Sequence, residues 1–221
     1  MVRPAVAVDG GRGHSRQCSD WAALVDITRV GPSRTMSGWA EKVDDADLSA
    51  VQEQLGRVPR GVAAVAHRCP CGRPDVLRTE PRLPDGTPFP TTYYVTCPRL
   101  TGAISTLESS GMMRDMTQRL GSDPGLATAY VAAHEDYLRR RGELGAVDEI
   151  DGISAGGMPT RVKCLHVLIG HSLAAGPGVN PLGDEALAAL GGWWTAGPCV
   201  PRSEPCTEPC TEPCTEPCGE R

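Results

Sequence analysis

The spacing of apolar residues changes partway along the chain, and this change most constrains the fold. Strand-like segments with β-branched or aromatic residues come first, each bounded by Pro or Gly. They cover residues 61–67, 75–79 and 91–96. Helical spacing follows, in segments separated by Gly-rich turns. These helical segments cover residues 100–109, 112–120, 124–141, 159–174 and 184–190.

A further amphipathic helix precedes the strands, with Leu48, Val51 and Leu55 on one face after an acidic start at residues 44–47. Strands followed by helices favour a fold in which the two kinds of element are segregated. The sequence therefore predicts an α+β fold: a small antiparallel sheet followed by a helical half, in a single domain with disordered termini.

Composition and charge exclude several classes of protein. The chain has 221 residues, of which 40% are hydrophobic, and this length is typical of one or two domains. Its apolar runs fall far short of the ~20 residues that span a bilayer, and no secretory signal is recognisable. The net charge of −5 argues against a general nucleic-acid binder. We therefore expect a cytoplasmic protein without a membrane or nucleic-acid partner, and the oligomeric state stays open.

Both ends of the chain differ from its centre. After Ser203 the sequence repeats Thr-Glu-Pro-Cys, and the Pro in each unit is incompatible with a helix or a central strand. Residues 197–221 are therefore expected to be a disordered tail, either a metal-binding or redox segment or an expanded DNA repeat. Residues 1–43 show no sustained apolar period and are expected to be a disordered extension. This leaves residues 44–196 as the folded domain.

Four cysteines outside the repeat are candidate metal ligands. Pro70 favours an extended Cys69, and side chains two residues apart in extended chain share a side, so Cys69 and Cys71 can face one ion. Cys97 ends the third predicted strand, and Cys164 lies near the start of a predicted helix. Thiolates suit zinc or an iron–sulfur cluster, so the sequence predicts one of these on the four cysteines. The alternative, that they are small buried hydrophobic residues, stays open.

Basic and small residues predict an anion-binding pocket next to the cysteines. Between residues 57 and 99 the chain has seven arginines and only three acidic residues. A loop of small residues then enters the predicted helix 159–174, and backbone N–H groups at a helix start accept a phosphate or carboxylate. An anionic small molecule is therefore a possible partner. The predicted anion-binding residues are Arg68, Arg82, Gly156, Gly157, Arg161 and Lys163.

Three histidines are candidate catalytic residues. His67 adjoins the first cysteine pair, and His166 and His171 lie on the largely apolar predicted helix 159–174, where polar groups need partners. An imidazole at these positions transfers protons or binds a metal, or it is a core histidine bonded to the backbone. The arginine run at 139–141 is explained by a solvated basic cap at a helix C-terminus.

Five motifs carry a family resemblance. They are Gln54-Leu55-Gly56-Arg57, Ala66-His67-Arg68-Cys69-Pro70-Cys71-Gly72, Pro81-Arg82-Leu83-Pro84-Asp85-Gly86-Thr87-Pro88-Phe89-Pro90-Thr91-Thr92-Tyr93-Tyr94, Gly156-Gly157-Met158-Pro159 and Lys163-Cys164-Leu165-His166. Through them the chain resembles the bacterial, largely actinobacterial domain-of-unknown-function family 501 (DUF501) over about residues 47–194. The resemblance implies no defined activity. The family's genes tend to lie beside a septum-formation-initiator gene and an exopolyphosphatase gene, which implies a link to cell division or polyphosphate metabolism.

Three functions are compatible with these features. The first is a metal or iron–sulfur protein with an anion pocket, whether or not it is an enzyme. The second is a non-catalytic interaction module in which a structural zinc pins the sheet to a helix. The third is thiol redox chemistry at Cys69 and Cys71, which a strained disulfide across one residue disfavours. The first two require the sulfur of Cys164 to meet those of Cys69, Cys71 and Cys97.

The contrast between residues 1–35 and the segment that opens at Met36 predicts that translation begins at Met36. The intact mass of the protein from its native host checks this expectation. A species that starts at Met1 would contradict it.

Overall fold

The computed structural model describes residues 41–195 and 197–200 of the chain. The elements of this part run, in chain order, α1 (Asp45–Leu55), β1 (Val62–Arg68), β2 (Pro74–Thr79), β3 (Tyr93–Val95), α2 (Pro98–Ser109), α3 (Met112–Ser122), α4 (Pro124–Gly142), a 3₁₀ turn (Asp148–Ile150), α5 (Leu165–Ala175) and α6 (Pro181–Leu190). The predicted α+β fold, with strands first and helices after, is confirmed.

The three strands form one antiparallel sheet in the order β1-β2-β3. Val62 pairs with Thr79 and Arg68 with Pro74 between the first two strands, with irregularities of register in between. Arg78 pairs with Tyr93 between the second and third strands. The first hairpin is closed by the short turn that carries the cysteine pair.

Each face of the sheet packs against a different helix. On one face Val65 and Leu77 pack against Val51 of α1 in a small buried cluster. Their strand neighbours Ala66 and Val76 belong to the larger core, which includes α5 and α6. Because successive side chains in a strand point to opposite faces, this alternation is what a two-sided sheet requires.

Helix α5 lies at the centre of the larger core. Most of its residues are buried, including Leu165, Leu168 and Ile169. Two glycines allow its neighbours to come close. A Cβ added at Gly170 would lie 3.3 Å from the carbonyl oxygen of Tyr93, and one added at Gly183 of α6 would lie 2.4 Å from that of Leu168.

The helix predicted over residues 159–174 begins later than expected, at Leu165. The preceding residues turn back on themselves, because the N–H groups of Arg161 and Lys163 donate to the carbonyls of Gly157 and Gly156 at 3.1 and 2.7 Å. The prediction was wrong for residues 159–164 because the Arg161 bond closes only a single helical turn, and the Lys163 N–H donates to a carbonyl seven residues back instead of four. The Met158–Pro159 peptide bond is cis.

The solvated basic cap predicted at the end of α4 is also wrong for two of its three arginines. Arg140 and Arg141 are buried. Arg141 donates to the carbonyls of Ile150 and Ile153 at 2.7 and 2.5 Å, and Arg140 donates to Asp136 at 2.5 Å. Buried charges are tolerated when they are hydrogen-bonded in this way, and a linear sequence does not display such partners.

Packed structure extends beyond the predicted boundaries of the domain. Glu41 exchanges two backbone hydrogen bonds of 2.9 Å with Val65, and Cys199 and Val200 are buried at the other end. Residues 1–40 and 201–221 of the two predicted termini lie outside the described residues. Among the described residues, no helix has both the length and the apolar character needed to cross a bilayer.

We predict that Gly183→Ala lowers the free energy of unfolding by about 2–3 kcal/mol, because the added methyl meets the backbone of α5 and neither helix can move without disturbing the core. Gly102→Ala is the matched control, since nothing lies within 4 Å of a Cβ at that position in α2, and it should stabilise the protein by about 0.5–1 kcal/mol. Urea denaturation measures both. Equal effects of the two substitutions would contradict the close α5–α6 contact.

Candidate metal centre

The turn between β1 and β2 positions the first two cysteines of the site. The N–H of Cys69 donates to the carbonyl of Arg73 at 2.9 Å, and the N–H of Gly72 donates to the carbonyl of Cys69 at 2.8 Å. Gly72 has φ +86°, a conformation that side chains other than hydrogen disfavour. The tight turn therefore places Cys69 in the core and Cys71 at its edge.

The other two cysteines come from distant parts of the chain. Cys97 is the N-cap of α2, and its sulfur accepts a hydrogen bond from the N–H of Leu100 at 3.5 Å. Cys199 follows α6, on a segment that Arg99 holds by donating to the carbonyl of Pro198 at 2.9 Å. Residue 99 lies two positions after Cys97, so this bond brings Cys199 back to the start of α2.

The sulfurs of the other three cysteines cluster around that of Cys199. The Cys199 sulfur lies 3.0 Å from that of Cys97 and 3.3 Å from that of Cys71. The sulfurs of Cys69, Cys71 and Cys199 all lie within 4.8 Å of one another. None of the cysteines in the described part of the chain forms a disulfide. The arrangement is a compact set of four thiols drawn from three separate segments.

The electrostatics of the cluster favour thiolate at two positions. Hydrogen bonds from the thiols of Cys199 and Cys69, helped by N–H groups at the start of α2, lower the pKa of Cys97 to about 3 although burial opposes this. Burial also opposes ionisation of Cys71, but backbone N–H groups of Cys199 and Arg73 and the neighbouring thiols lower its pKa overall. The hydrogen-bond donors therefore stabilise negative charge on sulfur.

The remaining two thiols hold their protons. A hydrogen bond with Cys199 lowers the pKa of Cys69, but hydrogen bonding to Cys97 and burial together raise it to about 12. Hydrogen bonds to Cys69 and Cys97, with burial, raise the pKa of Cys199. A cation that binds all four sulfurs would displace the protons that the thiols carry.

The donor set fits a single tetrahedral ion. Four thiolates select zinc or iron among common metals. With Zn–S bonds of about 2.3 Å, neighbouring sulfurs of a tetrahedral site lie about 3.8 Å apart. The observed separations of 3.0 Å and 3.3 Å are about 0.5–0.8 Å shorter than that value, so a small outward movement of the sulfurs would reach it. A polynuclear cluster places several iron and sulfide ions between the cysteines and needs wider spacing.

Three of the four predicted ligands, Cys69, Cys71 and Cys97, come together, but Cys164 does not join them. Its sulfur lies instead with Glu108 and His166, all within 4.8 Å of one another. The prediction that a metal centre requires Cys164 is therefore wrong, and Cys199 takes the fourth place. The signal for it was in the sequence: unlike the cysteines of the Thr-Glu-Pro-Cys repeat, it follows a Trp-rich segment and precedes Val200, so it has an apolar anchor.

The three candidate catalytic histidines lie in three different environments. His67 Nδ1 lies 2.7 Å from Oδ1 of Asp75, whose pKa burial raises. Hydrogen bonding to Cys164, with the Glu108 charge, raises the pKa of His166 against the effect of burial. His171 is fully buried. A catalytic role for any of them stays a prediction.

His171 belongs to a buried polar network rather than to an open pocket. Its Nε2 lies 2.9 Å from Oδ2 of Asp136 and its Nδ1 lies 3.4 Å from the amide nitrogen of Asn180. Its ring stacks on Tyr93. Burial raises the pKa of Asp136, but hydrogen bonds from His171, Arg140 and Arg139 outweigh it and hold the pKa well below the ordinary range.

The predicted anion-binding residues have partners of their own. Arg68 donates to both carboxylate oxygens of Asp47 at 2.7 and 2.8 Å. Arg82 donates to Glu149 at 2.6 Å. The other four residues, Gly156, Gly157, Arg161 and Lys163, precede the start of α5. A side chain of the same protein already occupies that helix start, because Glu108 accepts a 2.7 Å hydrogen bond from the N–H of Leu165. Anion binding at these residues stays a prediction.

Residues 65–188 match the model of a family described as a protein of unknown function, DUF501. The match spans more than half of the chain and confirms the resemblance drawn from the motifs. No curated protein and no solved structure matched the chain.

We predict that Asp136→Asn lowers the free energy of unfolding at neutral pH by about 3 kcal/mol, because it leaves Arg140 and His171 without their shared carboxylate. Since folding lowers the pKa of Asp136, its stabilising effect is present above about pH 4 and is lost as the pH falls further. The difference between wild type and variant should therefore narrow in acid. Urea denaturation across a pH series tests this, and parallel pH curves would contradict it.

Proposed function

This chain belongs to the DUF501 family, and from that premise we propose that it is a non-catalytic module built around one structural zinc ion. The ligands are Cys69, Cys71, Cys97 and Cys199. The observation that carries the proposal is the clustering of the sulfurs of Cys69, Cys71 and Cys97 around that of Cys199, from three segments that are distant in the sequence.

Backbone geometry supports a metal over simple packing of thiols. The N–H groups of Leu100 and Arg99 at the start of α2 act on the sulfur of Cys97, and those of Arg73 and Cys199 act on the sulfur of Cys71. Buried thiols that only fill space do not need such donors, whereas thiolate ligands are stabilised by them. The cluster therefore has the hydrogen-bond donors of a ligand set.

The spacing of the sulfurs favours zinc over an iron–sulfur cluster. Sulfur separations of 3.0 and 3.3 Å expand by less than 1 Å to reach the tetrahedral edge of about 3.8 Å. Accommodating a cluster would require the turn, α2 and the Cys199 segment to move apart. Since the turn and α2 both belong to the buried core, a single ion is the smaller change.

The site favours a structural role over a catalytic one. Catalytic zinc keeps one position for water or substrate, whereas structural zinc has four protein ligands. Here all four ligands come from the protein, and Cys69, Cys97 and Cys199 are buried. The ion would join the first hairpin, the start of α2 and the segment after α6. A link to cell division or polyphosphate metabolism stays a prediction from the family resemblance.

We predict that anaerobically purified protein is colourless and retains about one zinc ion per chain against a weak chelator. A background variant in which Cys18, Cys206, Cys210, Cys214 and Cys218 are replaced by Ser serves as the control for other thiols and should retain the ion. Cys199→Ser in that background should lose it. The melting temperature should fall by about 10 °C, as expected for a loss of about 4 kcal/mol in a domain of this size.

Metal analysis, the absorption spectrum and a thermal melt measure these outcomes. A brown protein that contains iron and sulfide would show that the cysteines hold an iron–sulfur cluster instead of zinc. Metal-free protein with titratable thiols would overturn the metal centre altogether. Retention of the zinc ion by Cys199→Ser would exclude this cysteine as a ligand.

A further inference from the structure

A second group of metal-binding side chains lies apart from the four cysteines. Glu108 is at the end of α2, Cys164 is the N-cap of α5, and His166 is in the first turn of α5. One ligand atom from each lies within 4.8 Å of the other two, and all three residues are half-buried. The group combines a thiol, an imidazole and a carboxylate at the surface of the domain.

The other two ligand atoms both lie near the same nitrogen of His166. Its Nδ1 lies 3.2 Å from Oε1 of Glu108 and 3.9 Å from the sulfur of Cys164. In a catalytic triad the nucleophile and the orienting acid use opposite nitrogens of the histidine. Both groups here lie on the same nitrogen, where a cation is able to contact all three.

The distances match those of a metal polyhedron. With Zn–N and Zn–O bonds of about 2.1 Å and a Zn–S bond of about 2.3 Å, the tetrahedral N–O and N–S edges are about 3.4 and 3.6 Å. The observed separations of 3.2 and 3.9 Å are close to these values. Small side-chain rotations are therefore enough to form the site.

The carboxylate is already held in place. The N–H of Leu165 donates to Oε1 of Glu108 at 2.7 Å, which anchors the side chain across 57 residues of sequence. Oε1 is the same oxygen that lies 3.2 Å from Nδ1 of His166, and a carboxylate oxygen can accept this hydrogen bond and bind a cation at the same time. Ligands that are oriented by such outer contacts bind metals more tightly.

We propose that Glu108, Cys164 and His166 form a second zinc site with an open fourth position, which binds more weakly than the four cysteines and is emptied by the weak chelator that the first site resists. Three protein ligands with one thiolate and one imidazole select zinc over magnesium or calcium, and sites with three protein ligands leave a place for water or an anionic ligand. His166 and Glu108 expose 26% and 24% of their side chains, so the open position is accessible to solvent.

The second site is independent of the four-cysteine site. Cys97 and Glu108 lie at opposite ends of α2, and eleven residues of helix separate them by about 16 Å. A substitution at one site should therefore leave the ligands of the other in place, so that the two sites can be tested separately.

The test uses the background variant that lacks the cysteines outside the described residues. Cobalt titration should give about two ions per chain, with one tetrathiolate spectrum and one weaker single-thiolate spectrum. Cys164→Ser and His166→Gln should each remove one ion and leave the tetrathiolate spectrum unchanged. Glu108→Gln keeps an oxygen for the N–H of Leu165 and should weaken the second site by about 10-fold or more.

His134→Gln is the matched control, because His134 is also half-buried but bonds to Ser154 at 2.9 Å. It should retain both ions. Binding of only one ion by the background variant, or an unchanged second ion in Cys164→Ser, would overturn the proposal. Loss of the tetrathiolate spectrum with the single-thiolate one retained would overturn the four-cysteine centre instead.

Discussion

The burial of helix α5 is the constraint on which the rest of the domain depends. Its apolar residues leave almost no solvent-facing side, so the sheet, α2 and α6 must cover it. The sheet and α6 approach the backbone of α5 closely because Gly170 and Gly183 carry no side chain. Its one fully buried histidine, His171, needs a carboxylate and an amide to satisfy both ring nitrogens. Asp136 and Asn180 supply them, and they tie α4 and the start of α6 to the core.

Helix α2 places both groups of metal-binding residues. Its N-terminus carries Cys97, where N–H groups without helical partners face the sulfur. Its last turn carries Glu108, which supplies the N-terminal cap that α5 lacks in its own side chains. The helix start predicted to receive an external anion therefore receives an anionic side chain of the same chain. One rigid helix thus sets the positions of two sites that have different ligands and different exposure.

Local structure could be predicted well from the sequence. The start of α4 agrees with the prediction because Asp123 caps it and Pro124 follows. Helix α6 begins three residues earlier than predicted, at Pro181, because the side chain of Asn180 caps it. The error at residues 159–164 occurred where Pro159 resembled a helix start, although the hydrogen bonds of Arg161 and Lys163 go to loop carbonyls. The error at Arg140 and Arg141 arose because their carboxylate and carbonyl partners become neighbours only after packing.

Periodicity and short motifs were enough to predict the fold class, the family and the pairing of Cys69 with Cys71, because these depend on residues that are close together in the chain. Only the tertiary structure decided that Cys199 rather than Cys164 completes the four thiols, and that Cys164 lies with Glu108 and His166. The physical reason is that ligands separated by about a hundred residues meet through the packing of the elements that carry them. Spacing along the chain does not encode that packing.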